Sequence, residues 1–197
     1  MSDQGSGNWQ TPPPPAPGGF QAAPSAAGPA PGVVYADTIN RVIAYIIDSI
    51  IFFVVAVFVV GLIIVGIFTT GGAMALVGTL ILIVVSLAGS AIYFIYTWTR
   101  MRASIGQRVL GLETVNAADG ATLTQNQAIR RWAFLFGPTA LGSVLGYAPG
   151  GLGAIGSLVG LLAFIYQIYL LYTVSQSPKR QGYHDVQAGT VVVKRVG

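Results

Sequence analysis

A run of 51 residues without a charged side chain, from Ser49 to Thr99, most limits what this chain can fold into. A helix needs about 20 mostly apolar residues to cross the hydrocarbon core of a bilayer. Residues 69–72, which read Thr-Thr-Gly-Gly, divide the run into two usable halves, because glycine and small polar residues favour a turn. The run therefore predicts two transmembrane spans, at about 42–68 and 73–98.

The composition also indicates a protein embedded in lipid. Only 8% of the 197 residues are charged and 53% are hydrophobic, whereas an ordinary soluble domain is about 25% charged. So few charges cannot cover the surface of a water-soluble globule of this size. The chain has no cysteine and one histidine, which excludes disulfides, thiolate metal sites and cysteine nucleophiles. We expect no catalytic residues, no metal site, no cofactor and hence no enzyme.

A second charge-free stretch covers residues 132–178. Its middle, residues 147–151, reads Tyr-Ala-Pro-Gly-Gly, a cluster that breaks helices. The stretch therefore predicts two further spans, at 132–148 and 152–174. Pro138 is expected to kink the first of these or to delay its start, because proline removes a backbone hydrogen bond.

The basic residues decide the topology. All ten Lys and Arg lie in three places: Arg41 before the first span, the loop 99–131, and the tail 175–197. Loops rich in Lys and Arg stay in the cytoplasm, and two such loops share a side only when an even number of crossings separates them. The sequence thus predicts four spans in two hairpins, with both termini cytoplasmic. Three spans with the tail outside, or a re-entrant third segment, are the alternatives.

The cytoplasmic loop and tail carry a strand pattern. Residues 109–115 alternate as a strand does, 116–120 form a turn, 121–124 return, and 190–193 offer a third strand. We therefore predict an all-α transmembrane fold, a four-helix polytopic bundle, with a small cytoplasmic β element.

Residues 1–36 are rich in Pro, Gly and Ala. Such a composition buries too little apolar area to fold, and it favours extended polyproline conformations. We expect a disordered tail followed by a transmembrane domain over residues 37–197. The proline run at 12–17 is interpreted as a spacer, with a docking ligand for an aromatic groove as the alternative.

Asp48 is the only ionisable side chain inside a predicted span. Arg41 lies seven residues earlier, so the two share a face of the first helix. Their side chains lean the same way and leave a gap, which a basic group from the loop should fill. The candidates are Arg102, Arg108, Arg130 and Arg131. Asp48 then either anchors the loop to the bundle or binds a cation or proton.

His184 and Asp185 are the other notable pair. A neighbouring carboxylate can raise the pKa of a histidine and make it responsive to pH; alternatively, Asp185 caps a turn. Ser104 is expected to cap a short interfacial helix, with Arg102 and Arg108 near anionic lipid headgroups. The net charge of +4 is explained by topology, so we expect no nucleic-acid partner.

Small residues recur four apart in the second charge-free stretch, a spacing that lets helices approach closely in lipid. These residues predict packing seams, either inside the last hairpin or between protomers of a homodimer. The pairs are Gly142 and Gly146, Gly153 and Ser157, and Gly156 and Gly160.

Three motifs in order resemble the RDD family of bacterial membrane proteins. Residues 40–48, Asn-Arg-Val-Ile-Ala-Tyr-Ile-Ile-Asp, are similar to the family's opening, with Arg41 and the first aspartate, Asp48. Residues 104–112 are similar to its juxtamembrane segment. Residues 184–193 resemble its closing motif and make Asp185 the second aspartate. The resemblance extends over about residues 37–195.

The resemblance implies a multi-pass protein of the bacterial inner membrane. It also implies that Arg41, Asp48 and Asp185 act as one unit, and that the function is transport of an unidentified ligand or, as in some members, sodium/proton exchange. Two hypotheses follow: a cation or proton transporter, and a non-catalytic accessory or scaffold subunit of a larger membrane complex, for example a respiratory or envelope assembly.

Overall fold

The computed structural model describes residues 28–70, 74–147 and 152–196. Six α-helices and three short strands make up most of this part of the chain. The helices are α1 Thr38–Thr70, α2 Met74–Tyr96, α3 Ile105–Val109, α4 Gln125–Tyr147, α5 Gly153–Gln176 and α6 Tyr183–Ala188. The strands are β1 Val33–Tyr35, β2 Leu112–Asn116 and β3 Thr190–Arg195, and a π-helical turn, Thr97–Met101, extends α2.

Three helical segments of the described chain are long and apolar enough to cross a membrane. They are Thr38–Thr70, Val77–Met101 and Gly153–Gln176, and they correspond to the spans predicted at 42–68, 73–98 and 152–174. The prediction of a helical membrane protein with a small sheet is therefore confirmed. The segment 132–148 falls largely within α4, which begins earlier, at Gln125, and is not among these three.

Helix α4 runs through Pro138 instead of starting late. A proline at this position leaves the carbonyl of Phe134, four residues back, without its helical donor. The hydroxyl of Tyr166, on α5, donates to that carbonyl at 2.7 Å, and the amide of Gln167 donates to the Leu135 carbonyl at 2.7 Å. The neighbouring helix thus satisfies the backbone that proline disturbs.

The glycine seams pack α4 against α5 within one chain. A Cβ added to Gly142 would lie 2.9 Å from the Gly160 nitrogen, and one added to Gly156 would lie 2.1 Å from the Gly146 nitrogen. The two backbones therefore touch at positions where only glycine fits. Of the two predicted roles for these seams, the structure shows the one inside the hairpin.

The sheet joins the loop and the tail, as predicted, but its strands differ from the prediction. Strand β3 lies in the centre, antiparallel to both β1 and β2. The predicted hairpin return at 121–124 is wrong: these residues form no strand, and the Ala121 carbonyl accepts a single bond from Asn116 N–H. Residues 109–111 belong to the end of α3 and the turn after it rather than to the strand.

The third strand comes from the segment just before α1. Val33–Tyr35 pairs with Val193–Arg195, so the folded domain begins before residue 37, where the sequence placed its boundary. Residues 1–27, including the proline run at 12–17, lie outside the described residues. Val191, Val192 and Val193 are almost fully buried, and Val192 packs with Ala44 of α1, which fixes the sheet against the start of the first span.

Candidate functional site

Asp48 is buried, with 3% of its surface exposed, and its carboxylate is held by three donors. The hydroxyl of Ser104 donates to Oδ2 at 2.5 Å. The Tyr93 hydroxyl and the Gly106 N–H donate to Oδ1 at 2.7 and 2.8 Å. Ser104 is the N-cap of α3, and Gly106 lies in its first turn, where backbone N–H groups have no helical partner and carry partial positive charge.

The prediction that an arginine from the loop pairs with Asp48 is wrong. Within the described residues, none of Arg102, Arg108, Arg130 and Arg131 forms an ion pair with it. The N-terminus of α3 interacts with Asp48 in place of the predicted arginine. This arrangement requires α3 to approach α1 very closely. A Cβ on Gly106 would lie 2.1 Å from the Ala44 carbonyl oxygen, so only glycine fits there. Asp48 does connect loop and bundle, as the anchor interpretation expects.

The four candidate arginines have different environments. Arg102 forms an ion pair with Glu113 at 2.8 Å and donates to the Gly120 carbonyl at 2.8 Å. Arg108 and Arg130 are exposed, and Arg131 is buried at the second carboxylate, Asp185.

Asp185 is fully buried and joins two arginines from different helices. Its Oδ2 accepts from Arg41 Nη1 at 2.8 Å, and its Oδ1 accepts from Arg131 Nη1. The same carboxylate accepts from the Gly182 N–H at 3.1 Å, so it also caps α6, one of the two roles predicted for it. Arg41 further donates to the carbonyl of Val192 in β3 at 3.1 Å. The cluster therefore links α1, α4, α6 and the sheet.

Arg131 has a second partner besides the carboxylate. Its guanidinium lies 4.9 Å from the ring centre of Trp98, a cation–π contact that favours a buried cation. Trp98 is 1% exposed, and its indole N–H donates to Gln107 at 3.3 Å. The arginine thus lies between an acid and an aromatic face.

His184 is buried beside this cluster and is held neutral. Burial, and then the positive charges of Arg131 and Arg41, lower the pKa of His184 well below its ordinary value of 6.5. Of the two alternatives for this pair, the one in which Asp185 raises the pKa of His184 is wrong: His184 Nε2 lies 3.6 Å from the carboxylate, too far for a hydrogen bond. Desolvation and two guanidinium groups outweigh one acid that is already paired.

A cavity of about 160 Å³ lies between Asp48 and the residues around Asp185. Arg41, Asp48, Arg131 and His184 all line it. A second cavity of about 520 Å³ lies between α1 and α2. Asp48 lines both cavities, so it lies in the wall between them.

The structure thus brings together Arg41, Asp185 and His184, and it places Asp48 at the other side of a shared cavity. The sequence reasoning missed Tyr93 and Gly106 as partners of Asp48. A usable signal was present: Ser104-x-Gly106 at a helix start combines a capping residue with a residue that permits close approach. We found no group of three or more His, Cys, Asp or Glu side chains in the described residues that could hold a metal.

Comparison with known protein families gives one match. The model described as the RDD family matches residues 35–189, which include both aspartates, the arginines that hold the second one and most of the folded domain. A comparison with curated proteins and with solved structures gives no match.

Proposed function

This chain belongs to the RDD family, and we propose that it is a membrane transporter that moves a proton or a small cation past Asp48. The observation that carries this proposal is the position of Asp48 in the wall between two cavities. An acid within a spanning segment is expensive to bury and usually marks an ion or proton pathway. Transport also agrees with the exchange activity that the family resemblance implies.

The groups around Asp48 suit a mobile ion. Tyr93 and Ser104 contribute hydroxyl groups, which exchange protons and can turn a lone pair toward a cation. In this proposal a proton or cation binds the Asp48 carboxylate in place of one of the two hydroxyl groups that donate hydrogen bonds to it. Arg41 and Asp185 then control access from the cavity on their side. Four spans enclose little volume, so the transporting form is a homodimer.

The proposed orientation places the sheet in the cytoplasm of a bacterial cell, below the inner membrane. All ten basic residues belong to segments at the sheet end of the spanning helices, and basic segments are retained on the cytoplasmic side. This orientation requires α4 to cross the membrane as a fourth span. We propose that this protein catalyses no covalent reaction.

Flux measurements in proteoliposomes test the proposal. The Asp48→Asn variant removes one charge, and we expect it to abolish a cation-driven pH change inside the vesicles. Asp119→Asn is the matched control, because Asp119 lies in an exposed turn where its Oδ1 accepts a backbone bond that asparagine also accepts. Unchanged flux in a folded Asp48→Asn protein would reject the proposal.

A second candidate function is that of an accessory or scaffold subunit. The observation that favours it is the first span, in whose most apolar stretch no residue is buried within the chain. Phe53, Phe58 and Phe68 are 67%, 68% and 85% exposed, and such a surface suits contact with another membrane protein as well as with lipid. Purification in a mild detergent should then yield a stable companion, and migration as a lone monomer would contradict this role.

A further inference from the structure

The smaller cavity contains hydrogen-bonding groups that the described protein does not satisfy. Within the described residues, Thr38 Oγ1, Arg131 Nε and His184 Nδ1 are buried and have no hydrogen-bond partner. All three residues line the cavity of about 160 Å³. The side chains of Arg131 and His184 are only 4% and 9% exposed. Leaving such groups unpaired costs free energy, so three of them around one cavity favour the binding of a polar ligand there.

The chemistry of these groups selects an acceptor. Arg131 Nε can only donate a hydrogen bond. The Thr38 hydroxyl can also donate, and so can a neutral imidazole when Nδ1 carries the proton. Three potential donors from α1, α4 and α6 therefore suit an oxyanion better than a cation.

The charge balance at this end of the cavity points the same way. Arg41 and Arg131 share one carboxylate, Asp185, and the positive charge of Arg180 also acts on Arg41. The negative charge of Asp48 lies on the other side of the cavity, where three neutral groups donate to it. Two guanidinium groups and one carboxylate therefore leave a net positive charge at the Asp185 end of the cavity.

The rest of the cavity wall is apolar and reaches the outer surface. Leu135, Leu170 and Val174 line it. Tyr45 and Leu171 also border it, and they are 45% and 44% exposed, so the cavity opens between α1 and α5. A polar end and an apolar exit toward the bilayer together fit an amphiphile.

We propose that this cavity binds an oxyanion carried on an acyl chain, either a fatty-acid carboxylate or the phosphate of a lipid. The oxyanion accepts from Arg131, His184 and Thr38, and the acyl chain leaves between α1 and α5. This site occupies the same cavity that Asp48 lines, at the end formed by Thr38, Arg131 and His184, and binding there can be measured without any flux.

Thermal unfolding of the full chain in an uncharged maltoside detergent tests the site. The probes are octanoate against octanol, and short-chain phosphatidic acid against phosphatidylcholine, with inorganic phosphate alone as a fifth arm. A ligand that binds the folded state raises the unfolding temperature. Stabilisation by octanoate but not octanol identifies a free carboxylate, and stabilisation by phosphatidic acid but not phosphatidylcholine identifies a lipid phosphate; either result supports the site.

Two variants decide whether the stabilisation comes from this cavity. Thr38→Val removes the unpaired hydroxyl with little change of shape, and His184→Phe removes the imidazole nitrogens but keeps a ring. Each should raise the Kd about tenfold, the usual effect of losing one hydrogen bond to a charged group. Thr70→Val is the matched control at the far end of α1, where the hydroxyl bonds to its own helix.

Several results would overturn the site. Equal stabilisation by octanoate and octanol would exclude oxyanion recognition, and full stabilisation by phosphate alone would exclude the acyl chain. An unchanged Kd in both folded variants, or no stabilisation by any probe, would reject the cavity. These outcomes are measured by ligand binding and not by flux. The absence of flux would therefore leave the binding site supported, and the absence of binding would leave the proposed transport untouched.

Discussion

At the scale of single residues, Gly106 decides how the first aspartate is held. Its N–H donates to Asp48 at 2.8 Å, and its missing side chain lets α3 touch the backbone of α1 at Ala44. An N–H at a helix start provides part of what a cation would provide, but at a smaller desolvation cost than a buried arginine. The sequence-based prediction considered only charged partners for Asp48 and therefore chose arginines.

The Gly106→Ala variant should be strongly destabilised. The added methyl group would overlap the Ala44 carbonyl and force α3 away, which also removes a hydrogen bond from a buried carboxylate. We expect a loss of about 2 to 4 kcal/mol, measured by thermal or denaturant unfolding in detergent. Gly89→Ala in α2 is the control, because nothing lies within 4 Å of its added Cβ; equal effects of the two variants would contradict this account of α3.

His184 should make the folded protein sensitive to acid. Its pKa is well below 6.5 in the folded chain and close to 6.5 when unfolded, so the unfolded state binds more protons between these values. The free energy of unfolding should therefore fall as the pH drops below about 6.5, by roughly 1 kcal/mol per pH unit. Unfolding temperatures from pH 7.5 to 5.5 measure this, and His184→Gln should flatten the slope; an unchanged slope in that variant would show that other groups cause it.

At the scale of elements, the helices were more predictable than the strands. Charge-free length alone located three spans to within a few residues, because lipid requires a long apolar helix. Strand β3 was recognisable from its valines, whereas β1 has only three residues, Val33–Tyr35, next to a proline-rich segment. The predicted strand at 121–124 does not form, because β2 pairs instead with β3, which lies near the C-terminal end of the chain. Such long-range pairing leaves no local sequence pattern.

Helix α4 depends on its neighbour for the backbone around Pro138. The Tyr166→Phe variant removes the hydroxyl that donates to the Phe134 carbonyl, and we expect it to lower the free energy of unfolding by about 1 to 2 kcal/mol. Unfolding in detergent measures the difference. Tyr172→Phe is the control, since Tyr172 is 61% exposed on the same helix. A loss in Tyr172→Phe as large as that in Tyr166→Phe would argue against this role of α5.

At the scale of the whole molecule, two buried acids fasten a small sheet to the membrane helices. Asp48 binds the start of α3, and Asp185 binds α1 and α4 through Arg41 and Arg131. The sequence predicted which acids matter, because acids are rare in and beside apolar spans. It did not identify Tyr93 and Ser104 as partners of Asp48 or Arg131 as a partner of Asp185, because these residues lie more than 40 positions away; the family resemblance did imply that Arg41 and Asp185 act together.

The whole arrangement depends on α4 crossing the bilayer, because only then do all ten basic residues share one side with the sheet. Single cysteines placed at Gly150 and Gly197 test this most directly, since the natural chain has none. In intact cells a membrane-impermeant maleimide should label the cysteine at 150, and it should label the cysteine at 197 only after the membrane is opened. Labelling of both positions from the same side would contradict the four-span topology and the cytoplasmic location proposed for the sheet.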